Sequence, residues 1–144
     1  MSIERLDADA RRWFHQAKDD LEAAEVLVSA RKHAQASFLA QQAGEKALKA
    51  VWIRLDLDPW GHSLGRFIRD LPAPRKEQLA HLLDTALALD KLYIPTRYPD
   101  SLADQTPAEA YTMPEARAAV EHAHTILDAA LRSLDEIRKQ SAPQ

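Results

Sequence analysis

Apolar side chains recur along this chain at intervals of three and four residues and nowhere alternate strictly, so the pattern is helical rather than extended. Trp13, Ala17, Leu21, Ala24 and Val28 mark one face of a first helix over about 8–30, while Lys18, Asp19, Glu22 and Glu25 fall mostly elsewhere on the wheel. Asp7 is the expected N-cap, and the basic ARKH at the far end suits the negative pole of the helix dipole. Alanines 36, 40, 43, 47 and 50 step by four and three along a second helix over about 34–55. Small side chains at that spacing let a neighbouring helix approach closely. Glu45 and Lys49 stand four apart in the favourable order, a pair worth roughly 0.2–0.5 kcal/mol on an exposed face.

Pro59 and Gly61 in DLDPWGHS end the second helix. Ser63 is the expected cap of a short third helix from Leu64 to about Leu71, and LPAPR is the next break. A fourth helix is expected over about 75–91, with Leu79, Leu82, Leu83, Ala86 and Leu89 toward the core. A turn, YIPTRYPDS, and a polar loop, LADQTPAEAYTM, lead to a last helix starting near Pro114 and running to about Lys139. Its Ala116, Val120, Ala123, Leu127, Ala130, Leu134 and Ile137 read as a bundle seam. The final QSAPQ is expected to fray. Short connections between four long amphipathic segments predict an all-α, up-and-down bundle, one domain over 1–144 with its core at about 8–139.

Composition agrees: Gly is rare at 3 residues, Val and Ile are sparse, and 46% of the 144 residues are hydrophobic against 28% charged. A chain of this length can bury a core without a disulfide or a metal. It has no cysteine, which excludes thiol catalysis, disulfides and cysteine zinc sites and is compatible with a reducing cytoplasm. The segment MSIERLDADARRWF is too charged for a signal peptide, and no apolar run approaches the roughly 20 residues of a membrane span, so a cytoplasmic protein without membrane contact is expected. Net charge is −3, so bulk electrostatics do not announce a nucleic-acid binder, although a local basic patch stays open.

Few residues carry recognisable chemistry. The six histidines include no HExxH pair, and His122 and His124 point about 200° apart on a helix, so neither a metal nor a cofactor is expected. Phosphate loops of the GxxxxGK[ST] and GxGxxG kinds are absent. Ser63 beside His62 reads as a helix cap rather than a nucleophile. His62, at a helix start, can bond backbone or meet an anion. In YIPTRYPDS, Tyr98 before Pro99 is pushed toward extended backbone, and Asp100 or Ser101 can bond amides of the turn. A turn does not require Arg97 with tyrosines beside it; an arginine fork among aromatic rings is what grips phosphate and stacks on a base. The rival role for Arg97 is an ion pair with Glu45 or another bundle carboxylate.

Taken together, WFHQAKDDLEAAEVL, HAQASFLAQQAGEKALKAVW, GHSLGRFI, LDKLYIPTRYPDS and the terminal amphipathic helix resemble the HEPN domain, the higher eukaryote and prokaryote nucleotide-binding domain. The resemblance covers about Trp13 to Leu134, and its most specific pieces are QQAGEKALKA, HSL and RYPD. It implies a bundle of about five helices, usually a homodimer, often working beside a separate minimal nucleotidyltransferase subunit. That pair looks like the two halves of kanamycin nucleotidyltransferase, and some such pairs are toxin–antitoxin systems. By the same resemblance the recurrent polar positions fall on Glu45, Lys46, Lys49, His62, Arg97, Tyr98 and Asp100. They would bind a nucleotide or RNA phosphate, with Lys46, Lys49 and Arg97 forming a cationic pocket, or frame the transferase interface.

HEPN toxins that cut RNA carry an Arg followed four to six residues on by His. Here Arg97 is followed at those positions by Ser101, Leu102 and Ala103, with no histidine before His122. An arginine, with a pKa above ~12, can stabilise developing charge but does not exchange protons near neutrality, as histidine does. The leading expectation is therefore a binding module that pairs with a nucleotidyltransferase. The alternatives are a ribonuclease toxin using a displaced His62 with Arg97, and a purely structural interaction protein whose alanine stripe and terminal helix form a subunit interface.

Overall fold

The structure, a computed structural model, describes residues 1–141. The periodic stripes fold as two antiparallel long helices, α1 (Ile3–Ser29) and α2 (His33–Arg54), and a third, α7 (Met113–Ser141), which packs mainly on α2 and also touches α1. Between them lie α3 (Leu64–Arg69), α4 (Arg75–Leu79), a 3-10 turn at Ala80–Leu82, α5 (Leu83–Asp90), a 3-10 turn at Pro99–Ser101 and α6 (Pro107–Ala110). The all-α bundle is as the hydrophobic pattern predicts, and no strand occurs among the described residues. No helix among those residues is long and apolar enough to cross a membrane.

Several boundaries differ from expectation. The first helix begins at Ile3, because buried Leu6 and Ala10 extend its apolar stripe and Ser2 Oγ accepts the Arg5 amide at 3.2 Å. Asp7 is therefore not the N-cap; its carboxylate takes Arg54 Nε at 2.5 Å. The third helix stops at Arg69 rather than Leu71. The expected helix over 75–91 is interrupted by the 3-10 turn; Leu79, Leu82, Ala86 and Leu89 are all buried, as their three-four-three spacing suggests, while Leu83 is only partly so. The polar loop holds one helical turn, α6, closed by a reciprocal Thr106–Glu109 capping box, and Thr112 with Glu115 repeats that arrangement at the start of α7. Of the tail expected to fray, Gln140 and Ser141 are still helical and residues 142–144 lie outside the described residues.

Helix α2 is the spine of the bundle. Its alanines 36, 40, 43, 47 and 50 are all at 0% exposure, consumed inside the protomer, so that stripe is not available as a subunit interface. Phe67, Leu48, Leu64, Ile68, Leu89 and Ile126 fill the centre, and Trp52 donates its indole N–H to the Phe67 carbonyl at 2.8 Å.

Candidate functional site

Gln41, Glu45 and Lys49 stand four residues apart on α2 and so share one of its faces, and all three are buried. The Glu45 carboxylate collects three donors: Gln41 Nε2 on Oε1 at 3.1 Å, and Lys49 Nζ at 3.4 Å and His62 Nδ1 at 3.3 Å on Oε2. Gln42 Nε2 donates to Gln41 Oε1 at 2.7 Å, which fixes the Gln41 amide. The Lys49 ammonium also lies 5.6 Å from the Trp13 ring centroid and 5.7 Å from that of Phe67. Charges withdrawn from water must be paired, and this face of α2 meets that requirement internally. The Glu45–Lys49 pair is thus a buried one, not the weak exposed pair its spacing suggests.

His62 is delivered to Glu45 by a clamp between α3 and α5. At Gly61 the backbone turns with φ +94°, a value natural for glycine. Asp90, the last residue of α5, then grips the start of α3. Its Oδ1 accepts the Leu64 amide at 2.7 Å, and its Oδ2 accepts the Gly65 amide and the Ser63 hydroxyl, both at 3.0 Å. Ser63 Oγ in turn accepts the Arg66 amide at 3.1 Å, the capping role its position predicts. With the two ends tied, the His62 imidazole stacks on Tyr93, ring centroids 4.7 Å apart and planes 18° apart.

Tyr93 is also where Arg97 arrives. Thr96, buried, donates its hydroxyl to the Leu92 carbonyl at 2.6 Å and Arg97 Nε donates to the Tyr93 carbonyl at 2.9 Å, which winds the segment after α5 back on itself. The guanidinium carbon sits 4.5 Å from the Phe38 ring centroid, 4.6 Å from that of Tyr93 and 5.1 Å from that of Tyr98. Arg97 makes no ion pair among the described residues: Glu45, the expected rival partner, is filled by Lys49 and His62. The structure therefore brings His62 and Arg97 to one tyrosine ring, with the rest of the arginine fork uncommitted.

Other predicted site residues are placed differently. Lys46 is bound to Asp20 of α1 at 2.5 Å, and Gln16 Nε2 donates to the same carboxylate at 2.8 Å. Both lysines are neutralised by carboxylates on or beside α2, so of the expected cationic set Lys46, Lys49 and Arg97 only Arg97 has no carboxylate partner among the described residues. Tyr98 is 47% exposed with φ −117° and ψ 125°, extended as expected before proline. Asp100 is exposed and, among the described residues, neither it nor the Ser101 side chain bonds the turn, which is closed by the Ser101 and Leu102 amides on the Tyr98 and Pro99 carbonyls. Sequence reasoning missed Asp20, Phe38, Gln41 and Asp90. A buried Q-x-x-x-E-x-x-x-K stripe could have flagged Gln41, but the contacts of the other three join distant segments and leave no local signal.

The family described as HEPN domain matches residues 10–134. A relative in Methanocaldococcus jannaschii, named "Putative toxin MJ1304", is 27% identical over 127 residues, spanning 83% of this chain and 84% of its own. Among solved structures, TT1696 of Thermus thermophilus is 37% identical with a TM-score of 0.81, over 86% of this chain and 97% of that one. ST0689, described as an archaeal HEPN homologue, is 32% identical with a TM-score of 0.64, over 91% and 96%. A HEPN domain protein of Thermotoga maritima gives the same identity of 32% and TM-score of 0.64, over 86% and 98%.

Proposed function

The chain belongs to the HEPN domain family, and from that premise we propose that it is a binding module whose Arg97 corner takes the phosphate of a nucleotide or a nucleic acid. The carrying observation is a guanidinium held among the rings of Phe38, Tyr93 and Tyr98 with no carboxylate partner among the described residues. An arginine so placed is preorganised: its fork can grip a phosphate bidentately while half-exposed Tyr98 offers its ring to a base. Calorimetry with ATP and with a short single-stranded RNA tests this. Arg97→Ala is expected to weaken binding by tenfold or more, about 1.4 kcal/mol; equal affinity in both proteins removes Arg97 from the site. In the same proposal the module is the partner of a minimal nucleotidyltransferase subunit, as the family resemblance implies. Light scattering of the mixed proteins would give the mass of a complex if so, and the two separate masses if not.

One observation favours a second role, that of a ribonuclease. His62 Nδ1 rests on the buried Glu45 carboxylate and the imidazole shares Tyr93 with Arg97. A carboxylate on one ring nitrogen orients the imidazole and leaves the other nitrogen for a substrate. His62 would accept the proton of an RNA 2′-hydroxyl as that oxygen attacks phosphorus and the bond to the 5′-oxygen breaks, leaving a 2′,3′-cyclic phosphate on one fragment while the departing 5′-oxygen takes a proton from water to become a hydroxyl. Arg97 would stabilise the charge gathering on the phosphoryl oxygens. The relative's printed name, a toxin, supports such a reading. RNA cleavage and growth arrest on expression are the assays, with His62→Ala as the control; cleavage that survives that substitution excludes His62 as the base.

A further inference from the structure

Among the described residues, which include every Trp, Tyr and Phe of the chain, two aromatic residues are exposed: Trp60 at 67% and Tyr98 at 47%. Both stand beside the cluster that His62 and Arg97 make on Tyr93. Tyr98 follows Arg97 directly. Trp60 precedes His62 by two residues, no more than about 7 Å of chain. The phosphate corner uses Tyr98 and leaves Trp60 without a role. An indole left so open forgoes the gain that burying its large apolar surface would bring.

Trp60 is nevertheless held in place. Arg66 Nη1 donates to the Trp60 carbonyl at 2.6 Å, and the Arg66 guanidinium carbon lies 4.6 Å from the Trp60 ring centroid. The same carbon lies 5.3 Å from the centroid of buried Trp52 and 5.7 Å from that of Phe67, and Arg66 Nε is 3.4 Å from Asp70 Oδ2. Arg66 therefore rests on the rings of the core and supports the indole by a cation–π contact, while most of that indole faces solvent. Tyr98 is built alike, with the Arg97 guanidinium carbon 5.1 Å from its ring centroid. The two arginines differ in their charge balance: Arg66 has Asp70, whereas Arg97 has no carboxylate partner among the described residues. Two open, supported rings thus flank one unpaired cation.

We propose that Trp60 is a second base platform, so that the site takes a dinucleotide unit of single-stranded nucleic acid: one base on Tyr98, the next on Trp60, and the phosphate that links them on Arg97. Resting on the assignment of Arg97 to phosphate, this second platform decides which class of phosphate ligand fits best. A mononucleotide carries one base and can cover one ring; a strand covers both. Rings already held in place lose little freedom when bases settle on them. Stacking accepts any base, because every base has a π face, so the site selects by length rather than by sequence. The chain leading to Trp60 carries the exposed carboxylates of Asp56 and Asp58, which disfavour further backbone phosphates on that side and keep the footprint short.

Calorimetry with two probes tests the second platform: adenosine 3′,5′-bisphosphate, pAp, and the dinucleotide pApA, which adds a second nucleoside to the same pair of phosphates. The wild type is expected to bind pApA about fivefold or more tighter than pAp. In Trp60→Ala the two probes are expected to bind within about twofold of each other, and Trp60→Phe, which keeps a ring, to retain most of the preference. Arg97→Ala is expected to weaken both. A wild type that binds the probes equally overturns the second platform, and so does a Trp60→Ala variant that keeps the full preference; either result leaves Arg97 as the phosphate ligand if Arg97→Ala still weakens binding. Undiminished binding of both probes by Arg97→Ala overturns the phosphate corner instead, and with it the place given to the linking phosphate.

Discussion

His62 Nδ1 lies 3.3 Å from Oε2 of Glu45, a half-exposed imidazole resting on a carboxylate only 5% exposed. Seventeen positions separate the two residues, and a break and a helix start lie between them. The contact ties the interior of α2 to the surface corner where Arg97 waits. Glu45 is thereby shared between a structural demand, neutralising Lys49, and a positional one, holding His62 by one ring nitrogen.

The structural demand is testable by itself. Glu45→Leu leaves Lys49 buried without its carboxylate, a situation that costs about 3–5 kcal/mol. Adding Lys49→Met removes the stranded charge, so the double variant is expected to regain at least half of the loss in urea denaturation. Equal stability of the single and double variants would show that Lys49 finds another partner.

Asp90 is expected to matter more than its place at a helix end suggests. Asp90→Ala takes the acceptor from the amides of Leu64 and Gly65 and from the Ser63 hydroxyl. Each partly buried donor left unpaired costs about 1–3 kcal/mol. Hydrogen exchange at Leu64 and Gly65 should accelerate by more than tenfold and the His62–Tyr93 stack should loosen, visible as a shift of the His62 ring resonances. Unchanged protection would contradict the clamp.

Gly44→Ala sets two effects against each other. Alanine favours the helix by about 1 kcal/mol. Yet a Cβ at Gly44 would lie 2.8 Å from Leu64 Cδ2 and 2.9 Å from Leu89 Cδ1. Both leucines are at 0% exposure, so their methyls must shift within a packed core, and overpacking of that kind costs about 1–3 kcal/mol. A net loss of about 1 kcal/mol in chemical denaturation is expected, where propensity alone calls for a gain.

Tyr111, between α6 and α7, has its phenol held above the ordinary value of 10.0, first by burial and then by the Glu115 carboxylate. The folded state keeps the proton longer than the unfolded chain does. Stability from this group is therefore full below pH 10 and is lost as pH rises from there through the raised folded value. Tyr111→Phe is expected to flatten that alkaline limb of the melting temperature against pH while leaving the neutral region nearly unchanged. An identical limb in the variant would assign it to other groups.

What the sequence by itself determined about this protein is what local rules govern. The three long helices follow from apolar residues spaced three and four apart, the Ser63 cap and the extended Tyr98 from single-residue chemistry, and the alanine stripe from side-chain size. The family motifs singled out His62 and Arg97, and the fold brings both to the Tyr93 ring. The tertiary structure decided which charges in that corner are spoken for. Lys46 and Lys49 looked as available as Arg97, but burial obliges a charge to find a counter-charge, and Asp20 reaches Lys46 from another helix while Glu45 takes Lys49. It also decided the Asp90 clamp, whose partners lie 25 to 27 positions away. A helical repeat records which face of a helix is buried; it carries no record of what a distant segment brings to that face.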